Sequence, residues 1–129
     1  ATGGSTGQEV EDIWRQDLEI ALADAKNTNK MVVLDFGAEW CAACKELEHI
    51  TFPDPEVVKR LKEMIPVKVD CTKSREPKIK ALQEKYGVTG LPTVIVLDSE
   101  GFELGRFVSF LPPAQFLKFL DQTVKSPVE

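Results

Sequence analysis

Long apolar runs are missing from this chain: stretches such as "MVVL" (31–34) and "TVIVL" (93–97) fall far short of the roughly 20 residues that a bilayer-spanning helix needs. No membrane span is expected within it. A basic stripe is missing too. The net charge is −5, Lys is interspersed with Glu, and no aromatic–basic alternation occurs, so nothing tracks a phosphate backbone and nucleic acid is not an expected partner. Cysteine is scarce: three in 129 residues do not make a disulfide framework, so the fold has to be held by its core and the cysteines are expected to matter for their chemistry. Nor does a basic segment followed by an apolar one open the sequence. Instead "ATGGSTGQ" (1–8) is small and polar, reads as a linker or an expression scar, and is set aside from the fold.

What is present suffices for one ordinary domain. A hydrophobic content of 43% can bury a single core, expected over residues 9–129. Leu18, Ala21, Leu22 and Ala25 stand at helical spacing before "NTNK" breaks the pattern, which predicts a first helix. "MVVLDF" (31–36) is short, β-branched and nearly all apolar, as a central parallel strand covered on both faces should be. A helix is expected from the cysteines to about His49. Another starts at "FPDPEVV", with Asp54 as N-cap and Pro55 at the first helical position. "PVKVDC" (66–71) alternates like a strand, "PKIKALQEKYG" (77–87) has the Pro and Gly that bracket a helix, and "TVIVLD" (93–98) is a strand again. "DSEG" (98–101) turns into "FELGRFVSF", and a last helix runs from Pro113 to about Val124, with Phe116, Leu117, Leu120 and Val124 on one stripe. The expected class is α/β: a mixed central sheet of about four or five strands, flanked by helices on both faces.

Within that order, "FGAEWCAACKELEHITF" (36–52) lies where a strand ends and a helix begins, at the carboxyl edge of the sheet where open α/β folds place their sites. Cys41 falls at the helix N-terminus, whose unpaired N–H groups and dipole favour a thiolate, exposed for attack. Cys44 is one turn on, on the same face and deeper, and can close a disulfide back onto Cys41. A tetrahedral metal site needs four ligands. The other soft candidates are His49, about 140° around the helix from Cys44, and Cys71, on a different strand, so no metal is expected. A permanently closed structural disulfide would constrain little of the unfolded chain, because its loop is so short. His49 points away from Cys41, which leaves a Cys–His hydrolase without its base. Cys71 reads as a small, partly buried side chain at its strand's end.

"VVLDFGAEWCAACK" (32–45), with "YGVTGLPTVIVLDSEG" (86–101) some fifty residues later, resembles the thioredoxin superfamily, and the match covers nearly all of residues 12–125. Within it, "AEWCAACKELEHITFPDPEV" (38–57) is most similar to the C-terminal periplasmic thioredoxin-like domain of DsbD-type thiol:disulfide interchange proteins. The resemblance implies a thioredoxin fold and a redox-active Cys41–Cys44 disulfide. It implies a protein-disulfide reductase that takes electrons from a membrane-embedded domain of the same protein and passes them to protein partners outside the cytoplasm. It also implies a cis Leu91–Pro92 bond, leaving the Leu91 backbone free to pair with an extended partner segment. Trp40, by its position beside Cys41, suits a lid that limits solvent and shapes the partner surface, with a core aromatic as its ordinary alternative. Asp35 and Glu48 match acids that flank the family's active site. A carboxylate beside a thiol can shuttle its proton and raise its pKa by like-charge repulsion. A charge in an apolar strand, as at Asp35, is rarely there for stability. Glu48 stands with Cys41 and Cys44 at i, i+3 and i+7 on one helical stripe, with pairing to Lys45 as its ordinary alternative.

The same resemblance carries the remaining expectations: a periplasmic or extracytoplasmic location, a monomer, no cofactor, and a link to cytochrome c-type biogenesis. "AA" between the cysteines, where ordinary thioredoxins usually carry "GP", weighs against a cytoplasmic thioredoxin. Two positions depart from the pattern. Ser109 replaces a usual glycine in the hairpin's second strand, which narrows the partner groove, and Gly37 replaces a larger residue, which opens the floor under Cys41. The alternatives are a free-standing thioredoxin-like reductase, for cytochrome maturation or general thiol reduction, and a redox-inactive binding module on the same fold.

Overall fold

The computed structural model describes residues 13–125; the expected linker at 1–8 lies outside the described residues. Helix α1 (Leu18–Thr28) starts where the Asp17 carboxylate accepts from Ile20 N at 3.0 Å, and ends at Asn29, whose left-handed backbone (φ 58°) an Asn tolerates. It therefore runs three residues beyond the apolar periodicity. Strand β1 (Val32–Gly37) is buried at every position. Helix α2 (Ala42–Glu46) passes directly into a π-helical turn (Leu47–Thr51), sealed by Phe52 N donating to Leu47 O at 2.8 Å. The helical stretch expected to about His49 thus runs on to Thr51, with its last turn widened by one extra residue.

Helix α3 (Pro55–Leu61) has the expected N-cap, with Asp54 Oδ1 accepting from Glu56 N and Val57 N at 3.0 and 3.2 Å. Strand β2 (Ile65–Asp70), helix α4 (Pro77–Lys85), strands β3 (Thr93–Leu97) and β4 (Glu103–Phe107) and helix α5 (Pro113–Lys125) complete the order. Four strands form the sheet of the described residues, in the order β2-β1-β3-β4. β1 is parallel to β2 and antiparallel to β3, so its parallel character holds on one edge alone. Asp98 Oδ1 holds the β3–β4 turn by accepting from Glu100 N and Phe102 N, both at 2.9 Å. Ser109, expected in β4, lies past its end in the exposed bend that follows.

Alternation along the strands sends side chains to two cores. Leu34, Phe36, Val67, Val69, Ile95 and Leu97 pack beneath α1 and α4. Val33, Val94 and Val96 meet Leu47, Phe52, Val57, Leu61, Phe116 and Leu120 on the other face. This is the mixed sheet with helices on both faces that the element order implies. Phe116, fully buried, meets the rings of Phe52 at 5.7 Å and Phe107 at 5.8 Å, and so ties α5 to the end of the π-turn and to β4. Phe116→Ala should cost about 3–5 kcal/mol of unfolding free energy, read as a lower urea midpoint with an unchanged m-value. A loss below about 1 kcal/mol would mean that this face repacks around the gap.

Candidate functional site

Strand β1 delivers the chain to the sheet's carboxyl edge at Gly37, and Ala38–Trp40 turn it into α2. Glu39 N donates to Thr72 Oγ1 at 2.9 Å and Trp40 Nε1 to Thr72 O at 3.4 Å, while Thr72 is itself held by Asp70 Oδ1, so the turn is fastened to the loop after β2. Cys41 is the N-cap of α2, its sulfur accepting from Cys44 N at 3.2 Å. Cys41 and Cys44 are joined in a disulfide with Cα atoms 5.2 Å apart. Cys41 is not exposed in this state. Its accessibility is 8% against 3% for Cys44, because Ala38, Ala43 and the half-buried Leu91 close around the pair. It remains the more open of the two sulfurs. Trp40, at 64%, stands out into solvent beside it.

The Leu91–Pro92 bond is cis, and Leu91 packs against the cysteine pair, which brings the two sequence motifs together. Gly37 faces Cys44 instead of Cys41. A methyl group on Gly37 would lie 3.4 Å from Cys44 Sγ and 4.0 Å from Asp35 Oδ1. A side chain at this position would therefore meet the inner cysteine, and the room left by the glycine lies there and not at Cys41. The bare backbone of Gly37 lies between the inner sulfur and the Asp35 carboxyl.

Asp35 is 4% exposed, and its register partner on β2 is Lys68. Burial pushes its carboxyl up to about 7; the Lys68 ammonium opposes that shift and the Glu48 carboxylate adds to it. Glu48 lies at the start of the π-turn, four residues past Cys44 along backbone that is still α-helical at Glu46 and Leu47. Lys68 Nζ donates to Glu48 Oε2 at 2.5 Å, and Lys45 Nζ approaches Glu48 Oε1 at 3.6 Å. The ordinary expectation for Glu48, pairing with Lys45, is thus met together with a second pairing to Lys68. Lys68 was not singled out from the sequence. The signal that could have found it is its place as the only basic residue of "PVKVDC", a strand expected to lie beside the one that carries Asp35.

His49 is exposed on the π-turn. Cys71 is free and fully buried just past β2, its N donating to Gly37 O at 2.7 Å, and burial pushes its thiol up to about 11. No helix of the described residues is long and apolar enough to cross a membrane.

A family model described as a thioredoxin-like domain matches residues 18–123. Among curated relatives, the thiol:disulfide interchange protein DsbD of Vibrio vulnificus is 38% identical over 83% of this chain, and that of Photorhabdus laumondii is 38% identical over 92%. The chain spans only 18% and 19% of the length of those two proteins. The reduced C-terminal domain of Neisseria meningitidis DsbD is similar in structure, with a TM-score of 0.75 and 32% identity over 82% of this chain and 93% of that one. A thioredoxin from Thermus thermophilus gives 0.74 and 30% over 87% and 86%. The chain belongs to the thioredoxin-like family, and its paired cysteines have the chemistry of a thiol:disulfide oxidoreductase.

Two outcomes follow from this geometry. A carboxyl whose value rises from 3.8 to about 7 on folding stabilises the fold fully below the lower value and loses that contribution as pH rises to the upper one. Stability should therefore decline from about pH 4 to pH 7, by at most about 1.4 kcal/mol per pH unit, and Asp35→Asn should flatten that decline and be the more stable protein at pH 8. Urea midpoints across this range are the check; parallel curves for the two proteins would show that Asp35 does not titrate abnormally. Cys71→Ala should leave the rate of disulfide exchange unchanged, because the thiol is buried and protonated. A large loss of turnover would make Cys71 part of the electron path.

Proposed function

We propose that this domain is a protein-disulfide reductase that relays electrons from a membrane-embedded domain to extracytoplasmic protein partners through Cys41 and Cys44. The observation that carries this reading is the asymmetry of the pair: Cys41 caps a helix N-terminus and is the more open sulfur, while Cys44 lies beneath it near a buried carboxyl. In the reduced domain the Cys41 thiolate attacks one sulfur of a partner disulfide. The other partner sulfur leaves as a thiolate and a mixed disulfide forms. Cys44 then loses its proton to the Asp35 carboxylate and attacks Cys41 Sγ. The partner's second sulfur departs as a thiolate, two electrons have passed to the partner, and the Cys41–Cys44 disulfide remains. A donor dithiol reverses these steps to reload the domain.

Asp35 suits the proton step because its value of about 7 lets it accept and release a proton near neutral pH. Leu91 and Pro92 form the ledge against which an extended partner segment pairs, and Trp40 forms the rim. The relay between domains and the periplasmic setting are supported by similarity to DsbD proteins of which the matched part of this chain spans only 18%. The comparable similarity to a thioredoxin supports the second reading, a free-standing reductase.

The test uses insulin as the disulfide substrate. Cys44→Ser should accumulate a mixed disulfide with an insulin chain, Cys41→Ser should not, and the unaltered domain should reduce insulin in the presence of dithiothreitol. Equal trapping by both variants would overturn the order of attack, and no reduction by the unaltered domain would leave a redox-inactive binding module as the better reading.

A further inference from the structure

We infer that Glu39 and Lys45 are positioning residues of the exchange site, forming with Glu48 and Lys68 an ion-pair ladder that carries a partner's charge at the rim inward to the carboxyl of Asp35. Its functional meaning rests on the proposed role of Asp35 as proton acceptor; its geometry does not. The outer rung is Glu39, 73% exposed beside Trp40. Lys45 Nζ binds Glu39 Oε1 at 3.0 Å and reaches Glu48 Oε1 at 3.6 Å, so one ammonium is shared between two carboxylates. Glu48 in turn is shared between Lys45 and Lys68, which binds its other oxygen at 2.5 Å. Lys68 is divided as well, since β2 sets it opposite Asp35.

The charged groups acting on Asp35 are Lys68 from β2 and Glu48 from the π-turn, and Cys71 beyond β2 is coupled to it. From α2 comes Cys44, across Gly37, and β3 sets the apolar Val94 opposite it. The groove that Asp35, Glu39, Glu48 and Lys68 line is also walled by Asp17 at the cap of α1 and Glu19 within it, by His49, by Asp70, and by Lys78 and Lys85 from α4. The contacts of Glu39 and Lys45 lead to Asp35 by way of Glu48 and Lys68, and a Glu48→Gln background separates this route from any direct field.

The sign follows from sharing. A partner lysine or arginine that engages Glu39 releases Lys45 wholly to Glu48, which loosens its hold on Lys68. Lys68 then turns to Asp35 and favours its carboxylate, the form that accepts the Cys44 proton. The surface thus fits a partner that presents a basic side chain beside its disulfide, and docking itself prepares the base for the resolving step.

The experiment follows the Asp35 carboxyl carbon by NMR against pH in the oxidised domain, where neither paired cysteine titrates. Glu39→Gln, which mimics a partner's neutralisation of the rim, should lower the Asp35 midpoint, and Lys45→Met should raise it. Each change should be about two- to fivefold in ionisation constant, the size expected of a surface ion pair, and Lys45→Arg should restore the original midpoint. In a Glu48→Gln background both shifts should vanish, since the ladder is cut at its middle rung. No shift in the original background, or shifts of full size in the Glu48→Gln background, would overturn the ladder. Insulin reduction by the same variants tests the other reading separately: midpoints that move while rates do not support the ladder and count against Asp35 as proton acceptor.

Discussion

A strand bonded along both edges and covered on both faces has no comfortable place for a charge, and β1 carries Asp35 at its middle. The rest of the site is arranged around that placement. Burial makes the carboxyl hold a proton to near neutrality, and the opposing Lys68 stops it from being neutral throughout the accessible pH range. A carboxyl that is simply desolvated would stay protonated and be useless as a base. One fully paired with a buried cation would stay ionised. Asp35 lies between these limits: burial raises its value, and Lys68, which also binds Glu48, lowers it.

The same strand sets the position of the cysteines. Since β1 is central, its carboxyl end opens on the edge of the sheet between β2 and β3, and the chain can continue only by turning over that edge into a helix. The turn places Cys41 where backbone N–H groups lack partners and Cys44 over Gly37. β3, antiparallel to β1, begins at that same edge, so Leu91 and Pro92 arrive against the cysteine pair. One crossover and one register thereby assemble two segments that are some fifty residues apart.

The π-turn after α2 begins where Glu48 meets Lys68 of β2. The backbone is still α-helical up to Leu47, and the extra residue lies past Glu48, in a turn where Leu47 and Thr51 are buried. A helix defect of this kind costs hydrogen-bond geometry, and here it coincides with the contact that links the helix to the buried acid.

By itself the sequence determined the order of the elements, the N-cap at Asp54, the cysteine pair at a helix start and the oddity of an acid in an apolar strand. Each of these rests on local stereochemistry or on periodicity within a few residues. Tertiary structure alone decided what lies across space. Lys68 and Asp35 are 33 residues apart in sequence, and their meeting depends on parallel register, which no local pattern encodes. The near closure over Cys41 depends on Leu91, some fifty residues away, and the room at Cys44 depends on Gly37 lying against it. The π-turn was hidden because "ELEHIT" has ordinary helix-compatible composition, and the extra residue is accommodated only once Leu47, Thr51 and Phe52 must all be buried on the sheet. Side-chain type and spacing identify the reacting atoms, whereas their charges depend on neighbours brought in by the fold, since electrostatic interactions act through space and not along the chain.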